Sequence, residues 1–281
     1  MNTVRLAVRL AALLLSLNAL LISAHAVADT RADETWLNTI RHAYFGDRPI
    51  VESEDVISLD APKRAEDPAM VPISIKAGFP QTEARYIKNV MLLIDKNPVP
   101  LAGKFTFTHN SGRADLALRI RVNEYTPVRA IAETNDGQLY MSSRFVKASG
   151  GCSAPVGSNL EKAMARLGQM KLKTPDVKTQ GEPLLAQLLV SHPNLTGLQM
   201  DQITRLYRPA HFVKEIHVTF DGEPVMHAET DISISENPSF RFYFVPDREG
   251  ELVADVIDSH ENHFSSAQKI NAATVAAANP N

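Results

Sequence analysis

The sequence predicts an all-β protein with two immunoglobulin-like β-sandwich domains, which are joined by a linker with a short helix and preceded by a short N-terminal helix. Three observations in the 281-residue chain support this prediction. Short segments that alternate apolar and polar residues recur along both halves, and turn-forming residues separate them. The alternation stops at Gly150-Gly151, which divides the predicted strands into two sets.

The first predicted domain spans residues 29–152 and opens with a helix. Trp36, Ile40 and Tyr44 recur at spacings of four, which places them on one helical face. Gly46 is expected to end this helix. Seven short strands are predicted after it, over residues 56–59, 71–75, 87–94, 104–108, 117–122, 128–133 and 139–146.

Residues 153–182 are predicted to link the two domains. Ser158 and Glu161 form the S-x-x-E pattern that caps helix N-termini, and an apolar stripe at helical spacing follows. The helix is expected to end by Lys173, ahead of Pro175.

The second predicted domain spans residues 183–271 and is again sandwich-like. Asp221-Gly222 predicts a tight hairpin between two of its strands, because both residues tolerate positive φ. Residues 272–281 are expected to form a frayed tail. The predicted strands of this domain cover residues 184–190, 213–220, 225–234, 239–245, 251–257 and 263–270.

Residues 1–28 have the layout of a secretory signal peptide. Two arginines form a positive start, an apolar run follows over residues 10–22, and small residues offer cleavage sites after Ala26 or Ala28. The apolar run is short for a membrane span, and no later segment is long and apolar enough for one. We therefore expect an exported, soluble mature protein.

The composition argues against nucleic-acid binding and against an intrinsically disordered chain. The formal net charge is −3, from 29 basic and 32 acidic residues, so there is no electrostatic argument for nucleic-acid binding. Hydrophobic residues make up 44% of the chain and aromatic residues 6%, which is typical of a globular protein and not of a disordered one.

Cys152 is the only cysteine, and exported proteins normally pair their cysteines or lack them. The residues around it leave three interpretations open: a nucleophilic or carrier thiol, an intermolecular disulfide, or a buried and inert thiol. The first is favoured because glycine-flanked loops usually lie on the surface. Gly150, Gly151 and Ser153 are then expected to form a flexible arm around the thiol.

The histidines are the other candidates for chemistry. His260 and His263 have a spacing that suits metal ligands, and His217 and His227 could face each other across the Asp221-Gly222 hairpin. Solvated or hydrogen-bonded histidines explain such pairs more simply in a chain with nine of them, so no metal site is predicted. The chain has no convincing Ser-His-Asp order, phosphate loop or dinucleotide fingerprint.

Ser149-Gly150-Gly151-Cys152 after a β domain resembles the arm of SoxY, the sulfur-carrier subunit of the bacterial thiosulfate-oxidising system. The second half resembles its partner SoxZ, in whose pattern His192 and His211 are interpreted as structural. The mature chain is thus similar to a SoxY–SoxZ fusion, as in the SoxYZ-like carrier family associated with quinoprotein dehydrogenases. The supporting motifs lie in order at residues 123–129, 145–148, 191–193, 196–198, 209–213 and 235–238.

The resemblance implies that Cys152 carries a sulfur-containing intermediate covalently and that separate enzymes load and process it. It implies a periplasmic carrier without turnover or cofactor of its own, whose two domains pack on each other. The implied partners are periplasmic redox or sulfur-oxidising enzymes, including a quinoprotein dehydrogenase system. The arm departs from SoxY, where it is a free C-terminus with two glycines after the cysteine, because Ser153-Ala154-Pro155 follow here and the chain continues.

Two other functions remain open from the sequence. One is a non-catalytic binding module that assists a periplasmic quinoprotein dehydrogenase, with Cys152 incidental. The other is a metal-binding accessory protein, which rests only on the histidine pairs.

Overall fold

The computed structural model of the protein describes residues 34–155 and 160–271. The predicted signal peptide, the Ser158 cap and the C-terminal tail lie outside the described residues. Of the described residues, 34–47 belong to one compact unit and 48–271 to another. Within these ranges, no helix has the length and apolar character that a membrane span requires.

The predicted N-terminal helix is present. It begins as a π-helical turn, Trp36–Ile40, and continues as helix α1, Arg41–Phe45. The rings of Trp36 and Phe45 are both buried and their centroids lie 6.2 Å apart. Gly46 follows with a φ of 59°, a conformation that favours glycine and ends the helix.

The rest of the described chain is almost entirely strand. Helix α2, Leu160–Met164, is the one α-helix that the described part of this unit contains. The strands are β1 (Ile50–Glu52), β2 (Ile57–Asp60), β3 (Val71–Ala77), β4 (Ile87–Ile94), β5 (Leu101–Phe107), β6 (Leu116–Ile120), β7 (Thr126–Thr134), β8 (Leu139–Val146), β9 (Met170–Lys173), β10 (Leu184–Val190), β11 (Val213–Phe220), β12 (Glu223–Thr230), β13 (Ser239–Phe244), β14 (Gly250–Asp258) and β15 (His263–Ile270).

These strands confirm the all-β fold class and form two sheets. The larger sheet has the order β1-β8-β7-β4-β5-β12-β11-β14-β15, and the smaller one has the order β2-β3-β6-β13-β10-β9. The two halves of the chain meet inside both sheets, because β5 pairs with β12 and β6 pairs with β13. The core is continuous across this junction: Phe105 on β5 and Phe240 on β13 are fully buried, with ring centroids 6.3 Å apart.

The helix in the linker is shorter than predicted. It ends at Met164, and residues 170–173 form β9, an edge strand that pairs with β10. Gly168, with a φ of 76°, separates the two elements, and Leu172 is buried opposite Leu188. Pairing at a sheet edge and burial of Leu172 therefore outweigh the helical pattern of the segment.

The predicted Asp221-Gly222 hairpin is confirmed. Asp221 has a φ of 48° and Gly222 a φ of 81°, and the two residues connect β11 directly to β12. Positive φ at both positions gives the hairpin turn whose twist matches that of the flanking strands. This turn brings β12 beside β5, where the second half of the chain joins the first.

Candidate functional site

The segment after β8 lies against the body of the protein. The N–H of Gly150 donates to the carbonyl oxygen of Asn123 at 2.8 Å, and the N–H of Gly151 donates to that of Val122 at 3.0 Å. Both acceptors belong to the chain that leaves β6. The structure therefore holds the arm in a docked position, and its freedom to move stays a prediction.

The two glycines serve different purposes. Gly150 has a φ of 84° and open space where a side chain would lie, so its role is conformational. Gly151 is buried, and a Cβ atom there would lie 2.1 Å from the carbonyl oxygen of Pro68. Gly151 thus lets the arm approach the body closely, whereas Ser153 on the far side of the cysteine is exposed.

The thiol of Cys152 is buried, with 0% of the residue exposed. The glycine-flanked loop does not leave this thiol on the surface, contrary to the sequence-based expectation, because Gly151 permits close packing. Burial raises the pKa of the Cys152 thiol to about 11, and the nearby Arg121 guanidinium opposes this effect only in part. The thiol is therefore protonated and poorly nucleophilic at neutral pH while the arm is docked.

Residues from both halves of the chain hold the docked arm. The hydroxyl of Thr196 donates to the carbonyl oxygen of Cys152 at 2.6 Å. The Nη1 atom of Arg121 donates to the carbonyl oxygen of Gly151, and its Nη2 atom donates to that of Asn194, both at 3.2 Å. The arm is thus a bridge between the strand end after β6 and the loop that follows β10.

Arg121 is an unusual neighbour for a thiol because the arginine is only 2% exposed. Burial lowers the pKa of its guanidinium, whereas the charges of Cys152, Glu236 and Asp67 act in the opposite direction. A guanidinium nevertheless stays charged at neutral pH. Its Nε atom has no hydrogen-bond partner within the described part of the chain, so a buried positive charge with a spare donor lies near the sulfur.

The loop after β10 is fixed by its own polar side chains. Asn194 is fully buried with a φ of 43°, and its side-chain amide donates to the carbonyl oxygens of Ile234 and Ser235. The N–H of Thr196 donates to Gln199 Oε1 at 2.9 Å. These contacts hold the Thr196 hydroxyl in place beneath the arm.

His192 and His211 lie in a buried cluster with Asp258, close to this loop. His211 Nε2 lies 2.7 Å from Asp258 Oδ2, and His192 Nε2 lies 3.5 Å from the same oxygen. Three ligand atoms this close could hold a metal ion. However, His192 Nδ1 accepts the N–H of Asn194, so its proton lies on Nε2, the atom that a metal would need.

Asp258 is also occupied by hydrogen bonds. Its Oδ1 accepts the N–H groups of His260 and Asn262, and its Oδ2 accepts the side-chain amide of Asn262. Burial by itself raises the pKa of Asp258, but these bonds and the one from His211 lower it below its usual range. Hydrogen bonds thus fix Asp258, His211 and the Nδ1 atom of His192, whereas His192 Nε2 has no hydrogen-bond partner among the described residues.

The other histidines have different neighbours. The ring of His260 stacks on His211, with centroids 3.8 Å apart, and His263 lies at the start of β15. His217 and His227 do face each other across β11 and β12, as their positions around the hairpin suggested.

Cys152 and its glycines are recognisable in the sequence as candidates, whereas Arg121 and the contact from Thr196 are not. Arg121 lies between the apolar residues Ile120 and Val122, and a charged residue at such an alternating position usually faces solvent. Thr196 is part of a motif that the resemblance used, without a role for its hydroxyl. Their functions follow from contacts between distant segments, for which the sequence carries no local signal.

Two family models match the chain in tandem. The model for sulfur oxidation protein SoxY matches residues 41–152, and the model for sulphur oxidation protein SoxZ matches residues 170–269. The first match ends at Cys152 itself. No curated protein sequence matches the chain.

Among solved structures, the sulfur carrier protein SoxY from Chlorobium limicola f thiosulfatophilum is 24% identical, over 43% of this chain and 98% of that one, with a TM-score of 0.35. A superoxide reductase (neelaredoxin) from Ignicoccus hospitalis is 15% identical, over 37% and 96% of the two chains, with a TM-score of 0.32. A putative superoxide reductase from Thermotoga maritima is 18% identical, over 37% and 95%, with a TM-score of 0.31. Likenesses at this level say nothing about activity.

The order of the two family matches agrees with the order of the motifs and with the position of the single thiol at the end of the first half. The chain therefore belongs to the SoxYZ-like family of sulfur oxidation proteins, with a SoxY domain followed by a SoxZ domain in one polypeptide.

Proposed function

We propose that this protein is a periplasmic carrier that holds a sulfur-containing intermediate covalently on Cys152 and presents it to partner enzymes. The observation that carries the proposal is the position of the single thiol. It ends the SoxY match, lies in an arm that backbone and side-chain hydrogen bonds hold, and has a buried guanidinium beside it.

Arg121 supports an anionic cargo. A buried positive charge that lacks a full set of acceptors is costly, so an anion that accepts from its free Nε–H is stabilised there. The neutral thiol does not supply that negative charge at neutral pH, because its pKa is about 11. A sulfur adduct that ends in an oxyanion or a sulfide anion would supply it.

The carrier cycle requires the arm to leave its docked position. Among the described residues, four hydrogen bonds fasten it: two from glycine N–H groups, one from Thr196 and one from Arg121. At about 1 kcal/mol net for each, undocking costs on the order of 4 kcal/mol, which leaves about one molecule in a thousand undocked. The docked arm then protects the sulfur between encounters, and a partner enzyme binds the undocked state.

Loading is an oxidation. When the Cys152 sulfur joins a substrate sulfur, an S–S bond forms, the thiol loses its proton and two electrons leave. A periplasmic redox enzyme accepts those electrons, because the chain contains no second cysteine that could do so. Hydrolysis or transfer by further partner enzymes then releases the cargo.

The tether on both sides of Cys152 determines how the cargo is presented. The chain continues past Ser153 to α2 and β9, so the sulfur moves at the tip of a loop. A loop presents a cargo to an open cleft more readily than to a narrow tunnel. We therefore propose partner enzymes whose active sites open onto a broad surface.

The mass of the native protein tests this proposal. Protein purified from its periplasm in the absence of reductant is expected to carry an added mass of one or more sulfur atoms, which reductant removes. The Cys152→Ser variant is the matched control and is expected to carry none. An unmodified thiol under every growth condition, together with a normal phenotype of Cys152→Ser, would contradict the carrier proposal.

A second candidate function is a non-catalytic accessory module for a periplasmic quinoprotein dehydrogenase. The loop at residues 198–207 favours it, because Ile203 is 94% exposed and Leu206 and Tyr207 are also largely exposed. The two proposals differ in one measurement. Capture of the dehydrogenase by wild type and Cys152→Ser alike, with loss of capture in Ile203→Ser, supports the accessory module.

A further inference from the structure

The outer face of the nine-stranded sheet carries a pair of histidines that the carrier proposal does not use. His217 on β11 and His227 on β12 are directly opposite each other, so their side chains leave the same face. Both side chains are partly exposed to solvent. Their rings lie close, with centroids 4.3 Å apart and a tilt of 31°.

A carboxylate lies behind each ring. His217 Nε2 is 3.5 Å from Glu215 Oε2, and His227 Nε2 is 3.7 Å from Glu229 Oε1. A carboxylate favours a proton on the ring nitrogen that it faces, so each imidazole is biased toward the Nε2–H form. In that form the lone pairs of both Nδ1 atoms remain available.

Those two Nδ1 atoms face each other at a distance of 3.2 Å. Two lone pairs at this distance repel unless a cation lies between or beside them. A hydrogen bond from the Nδ1–H of one ring to the Nδ1 of the other also fits the distance, but it turns the Nε2 lone pair of the donating ring toward a carboxylate. An added proton or a metal ion at the Nδ1 atoms avoids that contact.

The separation of the Nδ1 atoms suits a metal ion. Zinc–imidazole bonds are about 2.05 Å long, and two such bonds to nitrogens 3.2 Å apart enclose an angle of about 103° at the metal, near the tetrahedral value. Carboxylates behind ligating imidazoles are the usual outer partners of zinc-bound histidines. Asp255, which is opposite His217 on β14, adds negative charge to the same face.

We propose that His217 and His227 form a binding site for a divalent transition metal ion of the imidazole-preferring class, such as Zn²⁺ or Cu²⁺. Both Nδ1 atoms ligate the ion, and Glu215 and Glu229 orient the rings through their Nε2–H groups. Water completes the coordination, because the face is open. The site is distinct from the buried His192–His211–Asp258 cluster and does not depend on Cys152.

Zinc titration of the untagged mature protein tests the site. The Cys152→Ser variant serves as the background, so that the thiol does not contribute and the result is independent of the carrier proposal. Calorimetry is expected to give one zinc ion per chain and no binding of Mg²⁺, which prefers oxygen ligands. His217→Ala and His227→Ala are each expected to weaken zinc binding by at least about tenfold.

His263→Ala is the matched control, because His263 is an exposed strand histidine of the same sheet. It is expected to bind zinc as the background does. Nitrogen NMR of the imidazoles gives a second readout: zinc is expected to shift the Nδ1 signals of both rings and leave them as Nε2–H forms. The proposal is overturned if the background binds no zinc at millimolar concentration, which would leave a shared proton between the rings, or if both alanine variants bind zinc as tightly as the background.

Discussion

The hydroxyl of Thr196 donates to the carbonyl oxygen of Cys152 at 2.6 Å, which joins the loop after β10 to the arm that ends the SoxY match. This bond crosses from the second half of the chain to the first. It gives the SoxZ domain a direct influence on the Cys152 thiol, because loosening the loop loosens the arm.

Replacement of Thr196 by valine is expected to free the arm partly. The loss of one hydrogen bond, worth about 1 kcal/mol, increases the undocked population about fivefold. The rate of alkylation of the thiol by iodoacetamide should rise by the same factor. Thr230→Val is the matched control, since Thr230 also donates a buried 2.6 Å bond, to Val213, away from the arm. Equal alkylation rates in wild type and Thr196→Val would contradict this role.

Replacement of Gly151 by alanine is expected to weaken docking. The added methyl group would lie 2.1 Å from the carbonyl oxygen of Pro68, which belongs to the backbone and cannot move aside easily. The thiol should then react about tenfold faster or more, because overpacking that costs about 1–3 kcal/mol raises the undocked population to that extent. Gly137→Ala controls for general destabilisation, since Gly137 has a φ of 81° and open space in the turn between β7 and β8, so alanine there strains the backbone without a clash. An alkylation rate unchanged by Gly151→Ala would rule out the docked arm.

The position of the thiol within the arm is expected to decide its reactivity. In the double variant Cys152→Ser/Ser153→Cys, the chain keeps one thiol but places it at an exposed position. That thiol should titrate near the ordinary pKa of about 9 and react readily at pH 8. The wild-type thiol, whose pKa burial raises to about 11, should react slowly at the same pH. Similar rates in the two proteins would mean that burial does not protect the sulfur.

The raised pKa of Cys152 also predicts a loss of stability in base. The folded protein holds the thiol proton up to about pH 11, whereas the unfolded chain releases it from about pH 9. The unfolded state therefore binds fewer protons between these values, and the free energy of unfolding falls as pH rises through this window. Between pH 8 and pH 10.5, the free energy of unfolding measured with urea should fall by about 2 kcal/mol more for the wild type than for Cys152→Ser. A parallel pH dependence of the two proteins would contradict the burial of the thiol.

The buried His192 predicts the opposite dependence in acid. Burial, together with the charge of His211, lowers the pKa of His192 to about 4 from an ordinary value of 6.5. The unfolded chain binds a proton there from about pH 6.5 downward and the folded one does not, so stability falls as pH drops toward 4.

Urea unfolding at pH 7 and pH 4.5 measures this effect. Between these two pH values, the free energy of unfolding of the wild type should fall by about 2–3 kcal/mol more than that of His192→Asn. His263→Asn, at an exposed position, should behave as the wild type does. If all three proteins show the same acid sensitivity, the buried cluster does not control it.

Local patterns were sufficient where a local interaction determines the structure. The Asp221-Gly222 turn was predictable because its two positive φ angles depend on those residues alone. The linker was not, because residues 170–173 are a strand only through their pairing with β10. The same holds for β1, three residues long, which exists only through its parallel pairing with β8.

The candidate site divides in the same way. Cys152 is identifiable as the single cysteine after two glycines, and the order of motifs in both halves assigns the family. Burial of the thiol was not predictable, because it depends on Pro68, Val122 and Thr196, which are distant in sequence. The sequence shows that residue 121 is a charged arginine, but it does not show that this side chain lies beneath the arm.

The sequence by itself therefore determined the all-β class, the two-domain family and the position of the single thiol, because alternation, turns and motifs are patterns of residues close together in the chain. Only the tertiary structure decided that the two halves share both sheets, that the thiol is buried with a pKa of about 11, and that Arg121 and Thr196 hold its arm. The physical reason is that the burial of Cys152 and the charge beside it come from contacts between segments that lie far apart in the sequence.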